Sequence, residues 1–582
     1  MVLNILSKTN TGGLTGTALK WGIIGTASAG FSLFGYDQGL MSGIITNEDF
    51  QATFPPTSQT IDKFKSRAPA IQGGVTASYE VGCFVGAMFS LVFGDYFGRR
   101  IFIIIGSLII VFGTIISVTC FQPKWQLGQF IVGRVICGIG NGLDTANIPM
   151  WQSEMSQAEN RGLAVNFEGS VIAVGTMIAY WVDYGMSYAT NSSQWRFPVS
   201  LQIFFAILLF CGIIGLPESP RWLTSHGRKA EALTVLSKLH NAPEDSDDVI
   251  AEYMFLEENA RRMQRSKITF MEIMRNGKQQ YLNRILIGGS GQFFQQFTGC
   301  NAAIYYATLL FEQSVFGPSQ KKLSLLMGSV FASVYALFTL PSFFLVETLG
   351  RRPLFMIGAL GQGISFTITF ACLIPSKSEK LDDGSPNPNG NKDARGAAVG
   401  LFLFIAFFGF TILPMPWIYA PEINPMKTRS IGTAIATSCN WISNAAVVVF
   451  TPVFVNNGGN QGFGCYLFFA CMSYLYFPII FFFYPETAGR SLEEIDIIFC
   501  KASVEGRPPF RVAATMPKLS PKEIGEQGDQ LGIDDDLDKE KVETAEKTSS
   551  DNGTGKEEGL LQPNEDQEAV SNGAQEEASN QV

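Results

Sequence analysis

Charged residues are scarce in this chain. Asp, Glu, Lys and Arg make up 16% of its 582 residues, against about 25% in soluble domains. Hydrophobic residues reach 46%. This balance argues against a soluble globular protein and favours one that lies in a lipid bilayer, and we expect no nucleic-acid partner.

Residues suited to metal, redox or catalytic chemistry are also sparse. Both histidines, His226 and His240, fall in a charged linker, which excludes a histidine metal site and a histidine proton relay inside a membrane. The ten cysteines form no Cys-x-x-Cys pair and mostly lie in apolar runs, which is typical of small buried hydrophobic residues. There is no nucleophile–base set and no nucleotide-binding loop. We therefore expect no enzyme, no metal and no cofactor.

The C-terminal part lacks aromatic residues altogether. From Lys522 to the end it has 18 acidic and 5 basic residues, a net charge of −13, whereas the whole chain carries −9. A segment so acidic and so poor in apolar groups buries too little surface to fold. We predict a cytoplasmic segment over 486–515 and a disordered acidic tail over 516–582.

Long apolar runs dominate the rest of the chain. A membrane-spanning helix needs about 20 apolar residues, and runs of this length account for twelve spans, the first without a signal-peptide cleavage site. Six runs lie on each side of a charged segment. The predicted organisation is all-α, with a cytoplasmic N-terminus over 1–20, a six-helix half over 21–217, a cytoplasmic helical linker over 218–284 and a second six-helix half over 285–485.

Lysine and arginine residues set the orientation of such a chain. The 218–284 linker holds 11 of them, and two short turns between spans are also basic. With these segments in the cytoplasm, both termini are cytoplasmic. The loop 187–196 then lies outside, where Asn191 begins an Asn-x-Ser glycosylation sequon.

The second half of the chain repeats charged motifs of the first. The Asp-x-x-Gly-Arg-Arg motif at 95–100 recurs as Glu-x-x-Gly-Arg-Arg at 347–352, and two further pairs recur at a common offset of 268. A matched set in register indicates two homologous six-helix halves, with a solute site where they meet. We interpret the charged members as gating ion pairs, or as charges that only fix topology: Asp95, Arg99, Arg100, Glu154, Arg161 and Glu218, and then Glu347, Arg351, Arg352, Glu422, Arg429 and Glu486.

Ionisable residues inside membrane spans are costly and mark functional sites. Asp37 and Arg134 lie near the middle of their spans. Burial disfavours ionisation of a carboxylate and a nearby guanidinium favours it, so a carboxylate held between the two can exchange a proton during transport. We interpret Asp183 as a wetted helix-end charge and Asp144 as a residue facing a wet cavity.

The seventh span carries uncharged hydrogen-bonding side chains that suit a neutral hydroxylated solute. Gln296 and Asn301 would lie about 140° apart on an unbroken helix, so Gly299 between them predicts a kink or a break. Later spans add amides and an aromatic ring. The predicted solute contacts are Gln295, Gln296, Asn301, Tyr305, Trp417, Asn440 and Asn444.

Together these motifs resemble the sugar porter family of the major facilitator superfamily over roughly residues 20–510. The set comprises the Gly-Arg-Arg turns, Pro-Glu-Ser-Pro-Arg-Trp at 217–222 and Gln-Gln-Phe-Thr-Gly-x-Asn at 295–301. The resemblance implies a major facilitator fold, a proton-coupling role for Asp37 and Arg134, and solute contacts at the residues named above. It also singles out position 169, where the family has a glutamine and this chain has Gly169 beside Glu168, and position 440, where Asn440 replaces another glutamine.

Further motifs resemble the fungal glycerol–proton symporter branch of that family. They are Trp-Arg-Phe-Pro at 195–198, Ala-Arg-Gly-Ala-Ala-Val-Gly at 394–400 and Tyr-Pro-Glu-Thr-Ala-Gly-Arg-Ser at 484–491. This resemblance implies proton-coupled import of glycerol across the plasma membrane, linked to osmotic stress. Two alternatives stay open: a hexose or pentose transporter of the same fold, and a nutrient receptor that signals through its tail. A receptor of this kind would resemble a transporter with a longer, repetitive tail.

We predict that the acidic tail is dispensable for transport. A chain ending after residue 515 should reach the membrane and take up solute at the wild-type rate, because the removed segment holds no apolar or polar group of the predicted site. Uptake per molecule of surface-localised protein measures this. A correctly localised truncation without uptake would contradict it.

Overall fold

The computed structural model describes residues 13–531, except residue 60 and the segments 121–125, 156–160, 266–269, 317–319, 377–389, 426 and 458–461. Within these residues the secondary structure is helical. We label α1 to α12 the segments that match the twelve predicted spans. Their bounds are Gly16–Ile44, Ala68–Phe97, Arg99–Val118, Gln126–Met155, Arg161–Met186, Ser193–Ile214, Tyr281–Phe297 with Cys300–Phe311, Lys321–Thr339 with Ser342–Leu349, Arg351–Ser376, Gly390–Phe407 with Met415–Ile423, Arg429–Asn457 and Phe463–Phe483.

Among the described residues, eight of the twelve segments are long and apolar enough to cross a membrane by themselves. The other four are α1, α4, α5 and α7. These helices carry most of the ionisable and amide side chains singled out above, and α7 is interrupted. Polar content separates α1, α4 and α5 from the eight, whereas the two segments of α7 have only 17 and 12 residues and are each too short.

The seventh span is broken at Gly299, as its sequence predicts. The first segment ends at Phe297 and the second begins at Cys300, because Gly299 has a φ of +93° that interrupts the helical ladder. A Cβ atom at this position would lie 2.8 Å from the Phe469 ring. α10 is interrupted too, by a π-helical turn over Phe408–Ile412.

The two halves meet through a symmetric set of helix pairs. α2 packs along α11, α5 packs along α8, and α1 contacts the second segment of α7. The repeat relates each helix to the one six places along the chain. It therefore turns the α2–α11 pair into the α8–α5 pair, and it exchanges the two members of the α1–α7 pair. The contacts between the two halves thus follow the same twofold repeat that the charged motifs indicate.

The linker forms four helices with bounds Pro220–Ser225, Lys229–His240, Asp247–Arg265 and Phe270–Arg275. This agrees with the predicted helical linker. Val235 and Leu236 are buried in the same apolar cluster as residues of α1 and α6. The Trp222 indole N–H donates to the carbonyl of Asp95 at 2.8 Å. The linker is therefore packed against the end of the first half.

Ordered structure continues past the predicted start of the tail at 516. Met516 is buried, and the backbone N–H of Leu519 donates to the Glu494 carboxylate at 2.8 Å. A helix follows over Pro521–Leu531. The boundary at 516 was too early because composition blurs the junction between a packed segment and an acidic one. The prediction for 532–582 lies outside the described residues.

The repeated Gly-Arg-Arg motifs adopt the same local structure twice. Gly98 and Gly350 have φ values of +92° and +91°, and each immediately precedes a helix. The Glu218 carboxylate accepts from the Arg100 backbone N–H at 3.0 Å, and the Glu486 carboxylate accepts from the backbone of the matching arginine at 3.0 Å. A carboxylate thus caps each helix N-terminus, where unpaired N–H groups favour a negative charge.

We expect Gly98→Ala to lower the free energy of unfolding by about 1–3 kcal/mol, the cost of holding a non-glycine residue in this backbone region. The ψ of Gly98 is 157°, and a Cβ there would lie 2.5 Å from a Glu218 oxygen. Thermal denaturation of the purified protein tests this. The matched control is Gly94→Ala, inside helix α2, where the nearest atom would be 3.5 Å away. Equal stability of both variants would contradict the prediction.

Candidate functional site

Asp37 of α1 and Arg134 of α4 form a buried ion pair in the first half. Arg134 Nη1 donates to Asp37 Oδ1, and Nη2 donates to Oδ2 at 3.2 Å. Both side chains are 1% exposed. The guanidinium carbon lies 4.5 Å from the centre of the Tyr79 ring, which covers one face of the cation. The two residues singled out from the sequence are thus in direct contact.

A cluster of amides joins α7 to α10 and α11. Asn440 Nδ2 donates to Gln292 at 2.6 Å and to Gln295 at 3.0 Å. Gln295 Nε2 in turn donates to the carbonyl of Leu413 at 3.1 Å, next to the interruption of α10. These side chains therefore satisfy one another and also a carbonyl close to the helix interruption.

The break in α7 brings Gln296 and Asn301 together. Asn301 Nδ2 donates to Gln296 Oε1 at 2.7 Å, and both side chains are 3% exposed. An unbroken helix would separate these side chains, so Gly299 creates the contact. The structure therefore places both amides on one side of the interrupted helix.

Glu80 lies inside α2 and is not among the site residues predicted from the sequence. It is 0% exposed. Tyr305 donates its hydroxyl to Glu80 Oε1, and Asn444 Nδ2 donates to Oε2 at 2.7 Å. Two predicted solute contacts of the second half thus bind one carboxylate of the first half. Its position in the middle of a span was the feature of the sequence that could have marked it as functional. Its partners are known only from the tertiary structure.

The remaining positions singled out from the sequence, 168, 169 and 417, make fewer contacts with the amide cluster. A Cβ at Gly169 would lie 3.6 Å from the Leu413 side chain, so position 169 faces α10 across the interface of the halves. Glu168 is buried, and within the described part of the chain no hydrogen bond reaches it. Trp417 is half-buried and, among the same residues, makes no hydrogen bond with the amides.

Two carboxylates differ from the wetted positions that the sequence suggested. Asp183 is 5% exposed, and its Oδ2 accepts from the Gly43 backbone N–H at 3.2 Å. Asp144 is 1% exposed, and neither of its oxygens has a hydrogen-bond partner among the described residues. Close packing of glycines on neighbouring helices encloses both side chains.

The charged residues of the repeated motifs in the first half, predicted to be gating pairs, lie at the linker end of the bundle. Arg99 contacts Asp95 at 2.9 Å and Glu154 at 3.5 Å. Arg100 donates its side chain to the carbonyl of Ile214 at 2.7 Å and its backbone to Glu218. The side chain of Arg161 is outside the described residues.

The second half repeats this arrangement. Arg351 contacts Glu347 at 3.1 Å and Glu422 at 2.9 Å, and Arg352 donates to the carbonyl of Phe481 at 2.7 Å. Arg429 donates to the Asn424 carbonyl at 3.4 Å. The pairs named here join helices within one half, so each set holds the end of its own bundle together.

Burial raises the pKa of Glu218 to about 6, above its ordinary value of 4.5, although N–H donors from Ser219 and Arg100 oppose the shift. The group lies beyond the end of α6. The carboxyl group of Glu218 therefore changes its protonation state near pH 6.

The model of the family described as "Sugar (and other) transporter" matches residues 23–499. The chain belongs to this sugar transporter family. It is a multi-pass membrane transporter and not an enzyme, with the predicted twelve-helix major facilitator fold of two six-helix repeats.

Relatives within the sugar transporter family cover nearly the whole chain. The sugar transporter STL1 of Saccharomyces cerevisiae is 52% identical over 92% of this chain and 91% of its own length. The major facilitator superfamily transporter mfsA of Aspergillus fumigatus is 50% identical over 90% and 94%. Among solved structures, the proton:xylose symporter XylE of E. coli, bound to 6-bromo-6-deoxy-D-glucose, matches with a TM-score of 0.67 and 25% identity over 82% of this chain and 99% of XylE.

We expect Glu218→Gln to remove a pH-dependent part of the stability. A pKa raised in the folded state favours folding at low pH, so this contribution is full below pH 4.5 and is lost as pH rises through about 6. The shift is worth about 2 kcal/mol. Thermal unfolding at pH 4.5 and 7.5 measures it. The wild type should lose more stability than the variant over this interval, and parallel curves would contradict the prediction.

Proposed function

We propose that this protein is a plasma-membrane symporter that imports glycerol, or another small polyol, together with protons, with both termini in the cytoplasm. The observation that carries the proposal is the buried, bidentate pair of Asp37 and Arg134. An acid and a base enclosed at membrane depth are expensive to keep unless the cycle uses them.

The pair suits proton coupling because its two members belong to different helices. While Arg134 holds both oxygens of Asp37, the carboxylate is stabilised in its ionised form. If α1 and α4 separate slightly during alternating access, the carboxylate loses this support inside a low-dielectric interior and takes up a proton. Proton binding and helix movement are then linked. XylE, a proton:xylose symporter of the same fold, supports this reading.

The solute site that we propose is lined by uncharged amides of α7 and α11 and by Tyr305. These groups donate and accept hydrogen bonds without the desolvation cost of a charge, as a neutral polyol requires. The amides of Gln296 and Asn301, and those of Gln292, Gln295 and Asn440, bond to one another, so a solute hydroxyl can replace each of these contacts in kind.

Two positions, Gly169 and Asn440, favour a solute that is smaller than a hexose. A hexose hydroxyl left without a partner costs about 1–3 kcal/mol. At position 169 there is no side chain to supply a partner, and Asn440 already bridges Gln292 and Gln295. A three-carbon triol needs fewer partners than a hexose. Solutes of this size are therefore favoured.

Hexose or pentose transport is the second candidate. The low-affinity glucose transporter HXT1 of S. cerevisiae is 31% identical over 88% of this chain. The amide pair formed by Gln296 and Asn301 is equally able to bind a sugar. Substrate competition separates the two candidates.

The deciding experiment is uptake into liposomes that contain the purified protein. Labelled glycerol, xylose and glucose are offered at equal concentration, with and without an inward proton gradient. Accumulation of glycerol above its external concentration only when the gradient is present would support the proposal. Glucose or xylose accumulated as well as glycerol would overturn the polyol assignment, and gradient-independent uptake would overturn the coupling.

We expect Asp37→Asn to abolish accumulation while solute exchange survives. The amide still accepts from Arg134 but carries no exchangeable proton. A driving force of 100 mV is worth about 2.3 kcal/mol per charge, or nearly fifty-fold accumulation, and this gain should disappear. Counterflow without a gradient is the control for binding and folding. A variant that still concentrates solute would exclude Asp37 as the coupling group.

A further inference from the structure

Glu80 lies apart from the Asp37–Arg134 pair and has no role in the coupling scheme above. It is on α2, which packs along α11 of the other half; Ser438 Oγ of α11, for example, lies 3.2 Å from the Met88 sulfur of α2. Its carboxylate is fully enclosed at this contact between halves. A charged acceptor in such a position needs donors in every state of the cycle.

Both donors to Glu80 come from the second half. Tyr305 lies in the second segment of broken α7, next to Tyr306, whose φ of −127° and ψ of 19° depart from helical values. Asn444 comes from α11. When the two halves separate, both donors move away from the carboxylate together.

No cation replaces them among the described residues in contact with Glu80. Arg134, the nearest guanidinium to this region, has both terminal nitrogens bonded to Asp37. The two side chains that donate to Glu80 are both neutral, the Tyr305 hydroxyl and the Asn444 amide. Once they have moved away, the ionised carboxylate can accept hydrogen bonds from two other neutral donors, one at each oxygen.

We propose that Glu80 is a solute-binding residue that selects polyols with hydroxyl groups on adjacent carbons. Each oxygen accepts one hydroxyl, in place of Tyr305 and Asn444. Adjacent hydroxyls present both donors to the two oxygens once a single C–C torsion is fixed, whereas hydroxyls on alternate carbons need two torsions fixed and lose more conformational entropy on binding. The inference rests on the proposed polyol function and deepens it, because it names the part of the solute that the first half binds.

Counterflow transport of two isomeric diols tests whether Glu80 selects adjacent hydroxyls. Glu80→Gln replaces one acceptor oxygen with an amide donor. A hydrogen bond to a charged group is worth about 1.5–3 kcal/mol, so the KM for glycerol and 1,2-propanediol should rise about ten- to hundredfold in equilibrium counterflow, with a smaller change in maximal rate. The KM for 1,3-propanediol, which has no adjacent hydroxyls, should change by less than about threefold.

The matched control is Asp144→Asn, a carboxylate-to-amide change in the same half at a residue without a hydrogen-bond partner among those described. It should leave the ratio of the two diols unchanged. A purely structural role of Glu80 would lower transport of both diols alike, and that outcome, or an unchanged ratio, would overturn the inference.

Failure of the polyol proposal itself is distinguishable. If the wild type transports xylose and no polyol, the comparison is made with xylose and analogues that lack one hydroxyl of an adjacent pair. Loss of discrimination between them in Glu80→Gln would support the role of Glu80 although the substrate is a sugar. Retained discrimination would overturn it.

Discussion

The ion pair between Asp37 and Arg134 is the interaction around which the first half is organised. Each charge would be prohibitive alone in a membrane interior, and each is tolerated because the other satisfies it through two hydrogen bonds. The pair ties α1 to α4, and Tyr79 on α2 covers the cation. Three helices of the first half, α1, α2 and α4, thus enclose this ion pair, whose net charge is zero.

The need to satisfy buried polar groups also explains the polar contacts of the second half. Lipid offers no hydrogen bonds, so polar groups and interrupted helices must be satisfied within the protein. The interruption of α10 exposes carbonyls that Gln295 binds, and the break of α7 at Gly299 brings two amides together. Irregular backbone is found where a solute site is expected. Among the described residues these polar groups bond to partners within the protein, and in the proposed function a solute exchanges with them.

The charged motifs at the linker end serve a separate purpose. They build two equivalent caps, in which a glycine with positive φ begins a helix and a glutamate binds its first N–H groups. These caps keep each bundle intact at one end, because the described pairs join helices of the same half. Relative movement of the halves then leaves the caps whole and changes the contacts at the centre, among them the bonds from Tyr305 and Asn444 to Glu80.

The sequence by itself determined the number and order of the helices, the repeat, the helical linker and the break in α7. These features follow from local patterns: apolar runs, basic turns, matched motifs and one glycine between two amides. The tertiary structure alone decided which side chains meet. Neither the pairing of Asn440 with Gln292 and Gln295 nor that of Glu80 with two residues of the other half has a local signature, because helix rotation and pairing depend on packing across distant segments. Composition also did not indicate that Met516 is packed, since its burial and its hydrogen bond from Arg490 depend on contacts with a distant part of the chain.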